Sequence, residues 1–99
     1  MFYMKVHENA RGRVVAVCDC ELIGKVFERG GRKMDLRKYA GFYKGEKVGE
    51  DEMLEAIKSF SSLNVVGKNA TAFVIRQGLA GKPQVRAIAG IPQAQIYKI

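Results

Sequence analysis

The chain has 99 residues, of which 47% are hydrophobic and 27% charged, a balance that fits one globular domain and excludes a disordered chain. A formal charge of +7 and a pI near 9.7 favour anionic partners: nucleic acid first, then anionic membrane surface, then acidic proteins. Two cysteines give no disulfide framework and no apolar run approaches membrane-spanning length, so a disulfide-stapled scaffold and a helical membrane protein are both excluded.

Phe2, Met4 and Val6 alternate with Tyr3, Lys5 and His7, which predicts a strand. Asn9-Ala10-Arg11-Gly12 is a turn, and Arg13 to Asp19 is a second, β-branched strand, so the pair forms an antiparallel hairpin. Asp19 then caps a short helix over Cys20 to Arg29, with Leu22, Ile23, Val26 and Phe27 as its apolar stripe and Gly30-Gly31 as its stop. A third strand is expected at Arg32 to Leu36, followed by an irregular stretch from Arg37 to Gly45.

Glu50, Asp51 and Glu52 fill a first helical turn, where the helix dipole favours anions, and Met53, Leu54, Ile57 and Phe60 give that helix its buried face. Ser61-Ser62-Leu63 is a break. A further helix is expected from Val65 to Gln77, with Asn64 as N-cap and Gly67 inside it, at about 1 kcal/mol relative to alanine. Val85 to Ala89 is a strand, Gly90-Ile91-Pro92 a turn, and Ala94 to Ile99 a last strand. The order β-β-α-β-α-α-β-β predicts a single α+β domain. Its single mixed or antiparallel sheet, of about five strands, carries a helical pair and one short helix on one face.

Candidate chemistry is sparse. Cys18-Asp19-Cys20 lacks the further ligands that a zinc site needs, and His7, the lone histidine, falls several residues away from Cys18 across the hairpin. The thiols are expected to be reduced, and His7 to form a surface polar pair with Glu8. No catalytic set, metal site or cofactor motif is present. The helix start at Asn64, Gly67 and Lys68 could hold an anion, with Gly67 permitting close approach and Lys68 supplying charge, although an ordinary capped helix explains the same residues.

The segment from Arg29 to Lys44 mixes Arg29, Arg32, Lys33, Arg37, Lys38 and Lys44 with Tyr39, Phe42 and Tyr43. Bases that contact phosphates, beside rings that stack on unpaired nucleobases, are the composition of a single-strand RNA surface. The alternative is that the rings cover the core edge while the bases stay solvated. After Glu55 no acid occurs, whereas Lys58, Lys68, Arg76, Lys82, Arg86 and Lys98 do. After the last turn, Gln93 and Gln95 are expected on one face of the following strand, where they can hydrogen-bond bases or peptide backbone, although a hairpin turn with outward polar residues explains them more simply.

Met4-Lys5-Val6-His7-Glu8, the run Val14 to Glu28, Asn64 to Ala70 and Gly90 to Ile96 together resemble the archaeal domain of unknown function 424 family across almost the whole chain. The resemblance implies a small cytoplasmic archaeal protein and no reaction. It points to Asp19, Glu21, Lys25, Asn64, Gly67, Lys68, Pro92 and Gln95 as pattern residues. The pattern has alanine where this chain has Cys20 and often histidine where it has Gln93, which weakens both metal and histidine chemistry. Asp19 and Glu21 also suit a helix start, and Glu21 with Lys25 suits an i,i+4 pair.

The expected function is a non-enzymatic basic binding protein that engages RNA or a ribonucleoprotein near the translation apparatus. The alternatives are a protein-interaction subunit, or a small enzyme built around Asp19, Glu21, Lys25 and Lys68. A cytoplasmic protein without membrane attachment is expected, and the sequence leaves oligomeric state open.

Overall fold

The computed structural model describes residues 1–10 and 12–97. Arg11 of the first turn, and Lys98 and Ile99 of the last expected strand, lie outside the described residues. The fold is α+β. β1 (Phe2–Asn9) and β2 (Gly12–Asp19) form the expected hairpin and are followed by a single 3-10 turn at Cys20–Leu22. Next come β3 (Val26–Arg29), β4 (Arg32–Asp35), α1 (Ala40–Tyr43), β5 (Glu46–Val48), α2 (Glu50–Ala56), β6 (Ser62–Val66) and α3 (Lys68–Arg76). A 3-10 turn at Lys82–Gln84 leads into β7 (Arg86–Ile88) and β8 (Ile91–Tyr97).

Six strands make one mixed sheet in the order β5-β1-β2-β6-β8-β7, and β3 with β4 forms a separate ribbon. At the centre β2 and β6 run parallel, with Val15 opposite Leu63 and Val17 opposite Val65. Every other pairing is antiparallel. Strand alternation then sorts the side chains. Phe2, Val15, Val17, Leu63, Val65, Ala94 and Ile96 bury against Met53 and Ala56 of α2 and Ala70, Phe73 and Val74 of α3. Cys18 and Val66 point the other way, into a second core with Leu36 that the ribbon and α1 close through Phe27, Met34 and Tyr43.

α2 and α3 thus cover one face of the sheet, and the ribbon with α1 covers part of the other. The helix expected over Cys20 to Arg29 is replaced by the 3-10 turn and β3. Leu22, Ile23 and Phe27 are apolar at a spacing that serves either form, but Val26 to Arg29 pairs residue for residue with Arg32 to Asp35. Gly30 and Gly31, at φ +59° and +79°, make the tight hairpin turn rather than a helix stop. The helix expected from Val65 divides at Gly67: Ser62 to Val66 is a strand, and α3 begins at Lys68. Leu54, expected inside, is 37% exposed, and Glu52 accepts the Gly49 N–H at 2.9 Å to close the first turn of α2. β5, three residues long with only Val48 buried, has no sequence pattern to announce it.

Candidate functional site

Asp19 ends β2 at the mouth of the parallel pair and is 1% exposed. Its Oδ2 accepts the Asn69 N–H at 2.9 Å and its Oδ1 the Ala70 N–H at 2.8 Å. A carboxylate from another strand thereby satisfies two of the orphan donors at the start of α3. Burial raises the Asp19 pKa, opposed by those two N–H groups and reinforced by the charge of Glu21. Gly67 precedes the helix at φ +115°, and a Cβ there would collide with the Asp19 side chain. The Gly67 N–H donates to the Pro92 carbonyl at 2.8 Å, so Asp19, Gly67 and Pro92 meet in one corner.

This corner decides several expectations. The anion position at the helix start is filled by the chain's own carboxylate. Asn64 is not the N-cap: it lies mid-strand in β6, and Gly67 holds the cap position. Glu21 and Lys25 do not share a helix, because the 3-10 turn ends at Leu22, and no ion pair joins them among the described residues. Asp19 has each oxygen engaged and is closed to solvent, which removes it from acid–base work.

Cys18 is fully buried, and burial, followed by the nearby Asp19, Cys20 and Glu21, pushes its thiol up to about 12. Burial, together with the neighbouring Cys18, likewise pushes the Tyr43 phenol up to about 12, since the ring belongs to the second core and not to an open surface. Both cysteines are free thiols, and no group of three His, Cys, Asp or Glu is placed to hold a metal ion among the described residues. His7 does not pair with Glu8. Its ring stacks on Phe42 at 4.7 Å and its Nε2–H donates to the Phe42 carbonyl at 2.9 Å, tying α1 to β1.

The basic segment is the ribbon layer itself. Arg29 and Arg32 face each other beside the tight turn, and Lys33 leans toward Asp35 at 3.8 Å. The Arg37 and Lys38 N–H groups donate to Asp35 Oδ1 at 3.1 and 2.8 Å, which shapes the loop and, with Lys33 and Arg37 nearby, holds the Asp35 pKa below its ordinary value. Tyr39 is 55% exposed with the Lys38 ammonium 5.5 Å from its ring centre, and the Lys44 and Lys47 ammonium groups stand 5.9 and 5.7 Å from the Tyr3 ring centre. Arg29, Arg32, Arg37, Lys38 and Lys44 form no ion pair among the described residues.

Among the described residues the late bases do not gather. Lys58 pairs with Glu55 at 3.0 Å and Arg76 with Glu50 at 2.9 Å, both on the helical side. Lys68 starts α3, Lys82 sits in the turn before β7, and Arg86 opens β7. Pro92 and Gln95 lie on β8, where Gln95 stands directly opposite Asn64. Arg86 and Tyr97 join Gln93 and Gln95 on that face; the alternation Gln93, Gln95, Tyr97 was the available signal for the tyrosine, whereas Arg86 arrives only through the β7–β8 register.

No helix among the described residues is long and apolar enough to cross a membrane. The fold is similar to that of an uncharacterized conserved protein from Methanopyrus kandleri, with a TM-score of 0.80 at 25% identity, over 97% of this chain and 90% of that one. No curated protein matches the chain. The family model described as "Protein of unknown function (DUF424)" matches residues 6–99, and with that match over nearly all of its length the chain belongs to this family.

Proposed function

We propose that this is a non-enzymatic, cytoplasmic RNA-binding domain that acts on RNA directly or within a ribonucleoprotein. One observation carries the reading: Arg29, Arg32, Arg37, Lys38 and Lys44 stand on the ribbon layer without ion pairs among the described residues, beside the exposed Tyr39 ring. The layer lies on the sheet face opposite the helices, away from the acid-rich start of α2. Bases so placed meet phosphates, and an exposed ring offers a face to an unpaired base.

Binding of single-stranded RNA, followed as a function of salt, tests the reading. Affinity falls on a log–log plot with a slope of about −0.7 per phosphate contact, and reversing Arg32 and Arg37 to glutamate makes that slope shallower. Absence of binding at about 50 mM salt, where phosphate contacts are strong, refutes it. A protein partner that survives nuclease treatment, with no RNA binding, replaces it with a protein-interaction subunit.

A further inference from the structure

The ribbon covers only part of its sheet face. Beyond it a groove of about 590 Å³ runs over β7 and β8, lined among others by Pro83, Arg86, Ile88, Gln93, Gln95 and Tyr97. That volume suits one small planar ligand. Arg86 lies opposite Gln93, and Gln95 opposite Asn64, so alternation sets all four side chains and Tyr97 on the face turned from the helices. Tyr97 is 68% exposed, and its hydroxyl donates to Gln95 Oε1 at 3.0 Å. That bond orients the ring and leaves the Gln95 amide NH₂ as an outward donor. The side chains of Asn64 and Gln93 have no hydrogen-bond partner among the described residues, and no acid lines the groove. At its ribbon end the Arg29 guanidinium packs on Gly90, 3.4 Å from where a Cβ would stand, so the basic layer leads into the groove.

Resting on the RNA reading above, we propose that this groove receives one unpaired nucleobase of single-stranded RNA. The base stacks on Tyr97, the amides of Gln93 and Gln95 meet its edge, and Arg86 takes an adjacent phosphate. A flat exposed ring, free amides and a guanidinium without an opposing acid are the complement of a base with its phosphate. With its Oε1 engaged by Tyr97, Gln95 presents only its NH₂, a donor that suits a carbonyl on the base edge, as in uracil, better than the amino group of adenine.

Anisotropy titrations of labelled oligouridylate and oligoadenylate test this with the full chain. Tyr97→Ala is expected to weaken oligouridylate binding by about five- to 150-fold, the range that stacking of one base supplies, without changing the salt slope. Tyr97→Phe retains most of the affinity, and Gln95→Ala lowers the preference for uridylate over adenylate. Arg32→Glu/Arg37→Glu instead makes the salt slope shallower. Binding that responds to the ribbon variant and not to Tyr97→Ala overturns the groove inference while the ribbon reading stands. Equal wild-type affinity for the two oligomers overturns the edge recognition, and no binding by the wild type overturns both readings.

Discussion

Replacing Gly67 by alanine tests the corner where Asp19 meets α3. Backbone at φ +115° and ψ 157° is nearly closed to residues other than glycine, a strain of about 1–3 kcal/mol. The new Cβ also meets the Asp19 carboxylate, which cannot retreat without loosening its bonds to Asn69 and Ala70. Losing one charge-assisted bond adds about 1.5–3 kcal/mol. Gly67→Ala is therefore expected to destabilise by about 2.5–6 kcal/mol, a large share of the 5–15 kcal/mol typical of a domain. Asp19→Ala leaves two helix N–H groups without acceptors, about 2–4 kcal/mol after the relief of burying a carboxylate.

In the double variant the Cβ enters the space the carboxylate has vacated, and only the backbone strain of the first substitution remains. The double variant should thus be more stable than the sum of the singles by about 1.5–3 kcal/mol. Urea unfolding followed by circular dichroism, on all four proteins, measures that coupling. Additivity within about 0.5 kcal/mol refutes the argument, because it means that the carboxylate does not stand against Gly67.

Ala89 holds φ +53° beside Gly90 at +81°, the two-residue turn geometry that favours asparagine and glycine, so Ala89→Asn or Ala89→Gly should stabilise by about 0.5–1 kcal/mol, read as a rise in Tm. Thiol titration of the folded protein at pH 8 should modify Cys20 and spare Cys18 until unfolding, because Cys18 is buried with its pKa near 12; simultaneous modification of both refutes that burial. The two perturbed aspartates act in different pH windows. Asp19, raised above 3.8 in the folded state, favours folding when protonated, so wild type gains stability relative to Asp19→Asn as pH falls through the folded-state pKa toward 3.8. Asp35, lowered, contributes stability above 3.8 that is lost as pH falls below it through the folded-state pKa, and urea midpoints of Asp35→Asn against wild type should converge there.

Local pattern carried the β1–β2 hairpin and the acid-rich start of α2, because alternation and a charged first turn are properties of neighbouring residues. It failed where one pattern serves two forms. Leu22, Ile23 and Phe27 fit a helical stripe, yet they fill the second core from a 3-10 turn and a ribbon strand. Val66 fits the face of Ala70 and Phe73, yet it lies on the opposite side of the sheet, since Gly67 separates strand from helix. Gly67 looked like a costly interruption until its partner was visible, and that partner is Asp19, far away in sequence. The pairing of Asn64 with Gln95 depends likewise on register between distant strands, so their shared face lies beyond local pattern.

The parallel pairing of β2 with β6 also shapes how the chain reaches its native state. Everything from Cys20 to Ser61 must be looped out before the two central strands meet, and that closure entropy is spent before any central contact is gained. The bonds from Asn69 and Ala70 to Asp19 exist only once that loop has closed, so these two N–H groups at the start of α3 lack their acceptor in a chain whose centre is open. Amide hydrogen exchange at Asn69 and Ala70 should therefore follow global unfolding rather than local fraying, making a helix terminus, ordinarily an early site of opening, a late one here.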